Sequence, residues 1–105
     1  MKKFYNYNTP WGTTEKVYLK KTSYYIDDTL AVQMISEDGE PYTVITIHTD
    51  EKPSNKECAF VKNYSENTGI DEFLIKNGIA EPSGRVVSSG YVEIPEFKFD
   101  LSKLD

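Results

Sequence analysis

Between Thr29 and His48 the chain sets two runs of β-branched and apolar residues around a polar turn. Residues 30–36 and 42–48 are the arms, and Glu37-Asp38-Gly39-Glu40-Pro41 is the connector. An Asp-Gly pair suits a tight hairpin turn, because Gly accepts φ > 0 without steric cost. The rest of the chain is expected to organise around this hairpin. Before it, residues 5–8 alternate aromatic and polar side chains, which suits a short strand. Pro10-Trp11-Gly12 then marks a turn with the indole folded back on the body. Residues 15–23 form the next strand. Val17 and Leu19 point to one face, and Lys16, Tyr18 and Lys20 point to a solvated one.

Beyond the hairpin, residues 49–57 carry almost no apolar side chain and predict an exposed loop. Residues 58–61 are short and apolar, and suit either a strand or a turn of helix. A short α-helix is expected near residues 68–77. Asn67 or Thr68 would cap it, and Asp71 and Glu72 favour its positive end. Ile70, Phe73 and Leu74 share one face at i, i+3, i+4, and Gly78 fits the left-handed position that closes a helix. Glu81-Pro82-Ser83-Gly84 suggests a turn, residues 85–88 and 91–94 suggest strands, and Pro95 predicts an edge or a break. Phe97 and Phe99 then alternate with Lys98. The expected fold is α+β: one domain over residues 1–105, with a mainly antiparallel curved sheet of about six strands and one helix closing a side. An all-β barrel with a helical plug is the alternative.

Composition narrows the chemistry. At 105 residues the chain supports one modest core. No apolar run approaches the roughly 20 residues of a membrane span, and no apolar segment follows the basic Met1-Lys2-Lys3. The expectation is therefore neither a membrane protein nor a secreted one. A single cysteine, Cys58, cannot form an internal disulfide and suits a reducing cytoplasm. The net charge of −5 is uneven: residues 1–35 hold five Lys against three acids, and residues 36–60 hold two Lys against six acids. That balance argues against general nucleic-acid binding. One His and one Cys leave no zinc thiolate cluster within the chain, and no nucleotide fingerprint or nucleophile elbow is present. His48 suits a sheet residue, and Cys58 beside Ala59 and Phe60 suits a small buried one. No catalytic, cofactor or metal residue is assigned, and the chain is not expected to be an enzyme.

Three surfaces remain for binding. Tyr5, Tyr7 and Trp11 form an aromatic patch, or else wrap over the sheet as minor core. Glu37, Asp38, Glu40, Asp50, Glu51 and Glu57 form an acidic set that would fit a basic groove built for phosphates, or else a solvated surface. Lys16, Tyr18, Lys20 and Lys21 interleave bases with an aromatic ring, as single-strand binders do, or else form a soluble β-face.

The phrases Tyr5-Asn6-Tyr7-Asn8-Thr9-Pro10-Trp11-Gly12, Val17-Tyr18-Leu19, Leu30-Ala31-Val32, Phe60-Val61-Lys62-Asn63-Tyr64-Ser65-Glu66-Asn67, Gly69-Ile70 and Asn77-Gly78-Ile79-Ala80 carry a resemblance. The chain is similar to a family of small uncharacterised proteins of Firmicutes and gut bacteria, often carried on plasmids and conjugative elements. The likeness covers nearly the whole chain and transfers no active-site residue. It implies cytoplasmic mobile-element cargo, a setting that includes inhibitors of host defence of the anti-CRISPR type. The expected function is thus a non-enzymatic acidic binding module that occupies a protein partner, such as a CRISPR effector or another host defence protein. Glu37, Asp38, Glu40, Asp50 and Glu51 would supply charge, with Tyr5, Tyr7 and Trp11 as anchors. Single-stranded nucleic-acid binding and an accessory role in conjugation are the alternatives.

Overall fold

A computed structural model describes residues 2–64 and 67–105. Met1, from the basic N-terminus, and Ser65 and Glu66, from the 60–67 phrase of the resemblance, lie outside the described residues. The α+β expectation holds. The strands divide into two antiparallel sheets rather than one curved sheet. The first has the order β1-β2-β3-β4, from β1 (Tyr5–Asn8), β2 (Thr14–Ser23), β3 (Leu30–Ser36) and β4 (Pro41–Val44). The second has the order β5-β7-β6, from β5 (Cys58–Phe60), β6 (Ala80–Ser89) and β7 (Val92–Phe99). Helix α1 (Ile70–Lys76) lies between β5 and β6 in sequence, and a 3-10 turn, Leu101–Lys103, ends the chain's regular structure.

The central hairpin forms with its turn as the sequence predicts. Gly39 sits at φ 90°, its N–H donates to the Ser36 carbonyl at 2.9 Å, and Ser36 N–H donates to the Glu40 carbonyl at 2.9 Å. The second arm is shorter than residues 42–48. After Val44 the backbone leaves the ladder and crosses to the other sheet. Ile45 N–H still donates to Val32, while Ile47 N–H donates to Phe60 of the second sheet and the Ile45 carbonyl accepts from Lys62, just past it. Thr46 bridges Val61. The Ile45 and Ile47 amides thus find partners on both sides of the crossing.

The core lies between the sheets. Val17, Leu19, Val32 and Met34 face Ala59, Phe97 and Phe99, and α1 adds Ile70, Phe73 and Leu74. The Phe73 ring meets Tyr7 edge-on at 5.2 Å. Asn67 does not cap the helix. The N-cap is Gly69 in the left-handed region, with no side-chain cap bond. Asn67 is buried instead, where its Nδ2 donates to Val44 and its Oδ1 accepts from Thr43, tying the helix approach to β4. The other end closes as expected: Gly78, at φ 66°, donates to Ile75, and Ile79 N–H donates to Leu74.

Two further expectations are corrected. Residues 81–84 are no turn but part of β6. The strand absorbs them as a register shift between Pro82 and Val86, with Gly84 at φ 97°. Pro95 neither breaks β7 nor lies on an edge, since β7 is the central strand of its sheet. Proline is tolerated there because its nitrogen faces the same side as its carbonyl, which accepts from Val61 at 2.9 Å, so the missing N–H falls just past the end of β5 rather than in the ladder with β6.

The helix stop gives a stability prediction. A Cβ at Gly78 meets nothing within 4 Å, so only the backbone conformation opposes it. Gly78→Ala should cost about 1 kcal/mol in a urea unfolding curve.

Candidate functional site

The structure separates the expected binding residues into two ends of the first sheet. At one end, the β1–β2 turn carries Trp11 and the β3–β4 turn carries Glu37, Asp38 and Glu40. Register brings these turns to the same side: Val17 pairs with Ser36, and Glu37 N–H donates to the Lys16 carbonyl. Trp11 is 67% exposed rather than folded back onto the body. Its turn is real, closed by Gly12 N–H on the Thr9 carbonyl at 3.1 Å. Tyr42, at the start of β4, completes the group. Burial and then the nearby Glu15 carboxylate push its phenol above the usual value, against a hydrogen bond with Trp11 that acts the other way. The end therefore presents one open indole among Glu15, Glu37, Asp38 and Glu40, with Lys16 3.7 Å from the Glu37 carboxylate.

Asp50, Glu51 and Glu57 do not join this group. Residues 45–48 run back along β3 to its start, so residues 49–57 sit at the far end of a seven-residue strand. That is roughly 20 Å away at strand spacing. Tyr7 is also removed from the expected surface, being 1% exposed inside the core. Tyr5 is half-buried, and its hydroxyl donates to the Lys103 carbonyl at 2.9 Å. The lysine face changes too. Lys16, Lys20 and Lys21 are exposed, but Tyr18 is 7% exposed. Phe4 meets its ring edge-on at 5.9 Å, and the Lys2 ammonium lies 4.6 Å from its centroid. Lys21 faces the opposite way from Lys16 and Lys20, as the strand period of two requires.

Residues 49–57 are also more than an exposed loop. They are pinned across the outer face of the second sheet by Glu96, a fully buried carboxylate on β7. Ser54 donates to it from its N–H and its hydroxyl, both at 2.8 Å, Ser83 Oγ donates at 2.6 Å, and Arg85 Nη1 lies at 3.4 Å. Arg85 also donates to the Lys52 carbonyl at 2.6 Å. Burial alone would raise the pKa of Glu96. The donors from Ser83 and Ser54, together with the Arg85 charge, outweigh it and hold the carboxyl below the ordinary glutamate value. A lone Glu between Pro95 and Phe97 gave no sequence sign of this role.

Behind the loop, His48 Nε2 lies 2.9 Å from Asp27 Oδ2. The hydrogen bonds from His48 and then Thr29 lower the Asp27 pKa to about 2. His48 is thus paired with Asp27 and not with Cys58. The Cys58 thiol is buried, and that burial raises its pKa, the reverse of an activated nucleophile. Next to this pair opens a cleft of about 740 Å³ between the 22–30 hairpin and residues 52–56, with Lys21, Lys52 and Lys56 in its walls. Among the described residues no group of three His, Cys, Asp or Glu side chains is placed to hold a metal, and no helix is long and apolar enough to cross a membrane.

The family model described as Domain of unknown function (DUF4313) matches residues 18–105. No curated protein and no solved structure matches the chain.

Two measurements check the electrostatics. Because its folded pKa is lowered, Glu96 contributes stability that is complete above the unfolded glutamate pKa, about 4.3, and is lost as pH falls through the folded value. Glu96→Gln should therefore lower Tm at neutral pH and narrow its gap to wild type on acidification below about pH 4.3. In a carboxyl-detected NMR titration, Asp27 should titrate near 2. His48→Ala should move that midpoint upward, toward about 3.9.

Proposed function

The chain belongs to the family described as Domain of unknown function (DUF4313), and from that premise we propose that it is a non-enzymatic protein-binding module. It works through the end that carries Trp11, Glu15, Glu37, Asp38 and Glu40. The observation that carries this reading is the open Trp11 indole at the same end of the sheet as Glu15, Glu37, Asp38 and Glu40. A large exposed aromatic ring is a common energetic anchor of an interface, and clustered acids select a basic partner and speed encounter with it. The fitting partner is a protein with a positively charged groove, of the kind that holds nucleic acid. The finer form of the proposal is cytoplasmic cargo of a bacterial mobile element that inhibits a host defence protein, including a CRISPR effector. The resemblance supports that form, together with the acidic character of this end. The single-strand alternative would need an open aromatic face among the lysines, and Tyr18 is covered by Phe4 and Lys2.

Capture experiments test the proposal. Tagged protein is incubated with nuclease-treated lysate of a related Gram-positive host, and bound proteins are read by mass spectrometry. Wild type should enrich one protein in a salt-sensitive manner. Trp11→Ala should weaken that capture at least about tenfold, and Glu37→Lys/Asp38→Lys/Glu40→Lys should abolish it. Asp50→Lys/Glu51→Lys, at the far end, should leave it intact. Equal capture by wild type and the triple reversal would remove this surface from the proposal.

A further inference from the structure

We infer that the lysine cleft at the opposite end of the first sheet binds a small organic phosphate, a phosphate monoester carried on an apolar or flat body. The inference is independent of the protein-binding end. The cleft opens between the 22–30 hairpin of the first sheet and residues 52–56. Along β2 the inward register of Val17 and Leu19 continues past the core to Lys21 and Ser23, so a cation takes the place of the next core residue. Leu30 and Leu101 close the core behind it and give the mouth an apolar floor.

Lys52 and Lys56 come from the other wall, on residues 49–57. Among the described residues, Lys21, Lys52 and Lys56 make no ion pair. Asp27 also lines the cleft, and its carboxylate oxygens are already engaged by His48 and by both donors of Thr29. With Asp28 the walls hold two carboxylates against three ammonium groups, which leaves a net positive charge there. Asn55 spends its Oδ1 on Glu57 N–H, which leaves its amide NH2 as a donor.

The lysine-bearing wall is held in advance of binding. The Ser54–Glu96 hydrogen bonds fix the residue between Lys52 and Lys56, and Arg85 grips the Lys52 carbonyl. Such preorganisation lowers the ordering cost of binding an anion. Three lysines in the walls of one cleft match a phosphate dianion better than a monovalent carboxylate, and the leucine floor matches the body of the ligand. The net charge of −5 disfavours a long polyanion reaching the same site.

The test uses the intact ¹⁵N-labelled chain in an amide NMR titration with octyl phosphate, AMP, octanoate and inorganic phosphate. Saturable shifts clustered on residues 21–23, 29–30 and 52–56 are expected with octyl phosphate or AMP, and which of the two binds tighter tells an aliphatic body from a flat one. Octanoate and inorganic phosphate should each bind at least about tenfold more weakly, since each lacks one half of the recognised chemistry. Lys21→Gln/Lys52→Gln/Lys56→Gln should cost a further factor of at least about ten, and Lys52→Gln alone should show part of that loss. Absence of saturable shifts with both phosphate esters would overturn the assignment. So would octanoate binding as tightly as octyl phosphate, or lysine variants that bind like wild type.

Discussion

The architecture depends on three residues that belong to no full strand. Ile45, Thr46 and Ile47 carry backbone hydrogen bonding from one sheet to the other: Ile45 donates to Val32 and accepts from Lys62, and Ile47 donates to Phe60. The Thr46 hydroxyl accepts from Val32 N–H and pairs with the Tyr24 hydroxyl, so even the side chain closes the seam. A chain that crosses a core must satisfy every amide on the way, because an unpaired buried one costs as much as a lost hydrogen bond. The Ile45 and Ile47 amides meet that demand. The crossing also sets where everything else lies, since it returns the backbone to the start of β3 and delivers residues 49–57 to that end.

Glu96 is the second fixed point. A buried carboxylate is tolerable only when it is fully bonded, and here two serines and an arginine supply the donors. Its effect is to bind a polar segment of few apolar contacts onto the outer face of the second sheet, over Phe60 and Ile94. Arg85 serves both ends of this clamp and also lies 5.4 Å from the centre of the Phe60 ring. The result is a molecule with two unlike ends. One carries an exposed tryptophan among carboxylates, and the other a cleft walled by lysines. The net charge describes neither end, because each is set by which turns the register brings together.

Local chemistry was legible in the sequence wherever neighbours along the chain decide it. The Asp38-Gly39 turn, the alternation of Val17 with Leu19, the Ile70-Phe73-Leu74 face and the Gly78 helix stop all depend on residues within a few positions of one another. Pairing across the fold was not legible in the same way. Residues 42–48 have the pattern of one strand, and only the second sheet's demand for hydrogen bonds at Phe60 and Lys62 draws the last part away. Pro95 looks like a strand breaker until the short β5 is seen to stop one residue before the missing N–H would be needed. Tyr18 looks solvent-facing by its period, and it does face away from the main core. Phe4 and Lys2 cover it nonetheless, through contacts that no periodicity encodes.

The sequence alone determined an α+β domain, its main turns, the helix and its stop, and a surface of separate acidic and basic segments, because each follows from backbone preference and side-chain period. The tertiary structure decided which charges share a surface. It joined Trp11 to Glu37, Asp38 and Glu40, moved Asp50 and Glu51 to the other end, buried Tyr7, and aligned Lys21 with Lys52 and Lys56. Those outcomes depend on strand register and on the route of one crossing segment, where hydrogen-bond satisfaction over long sequence separations outweighs local pattern.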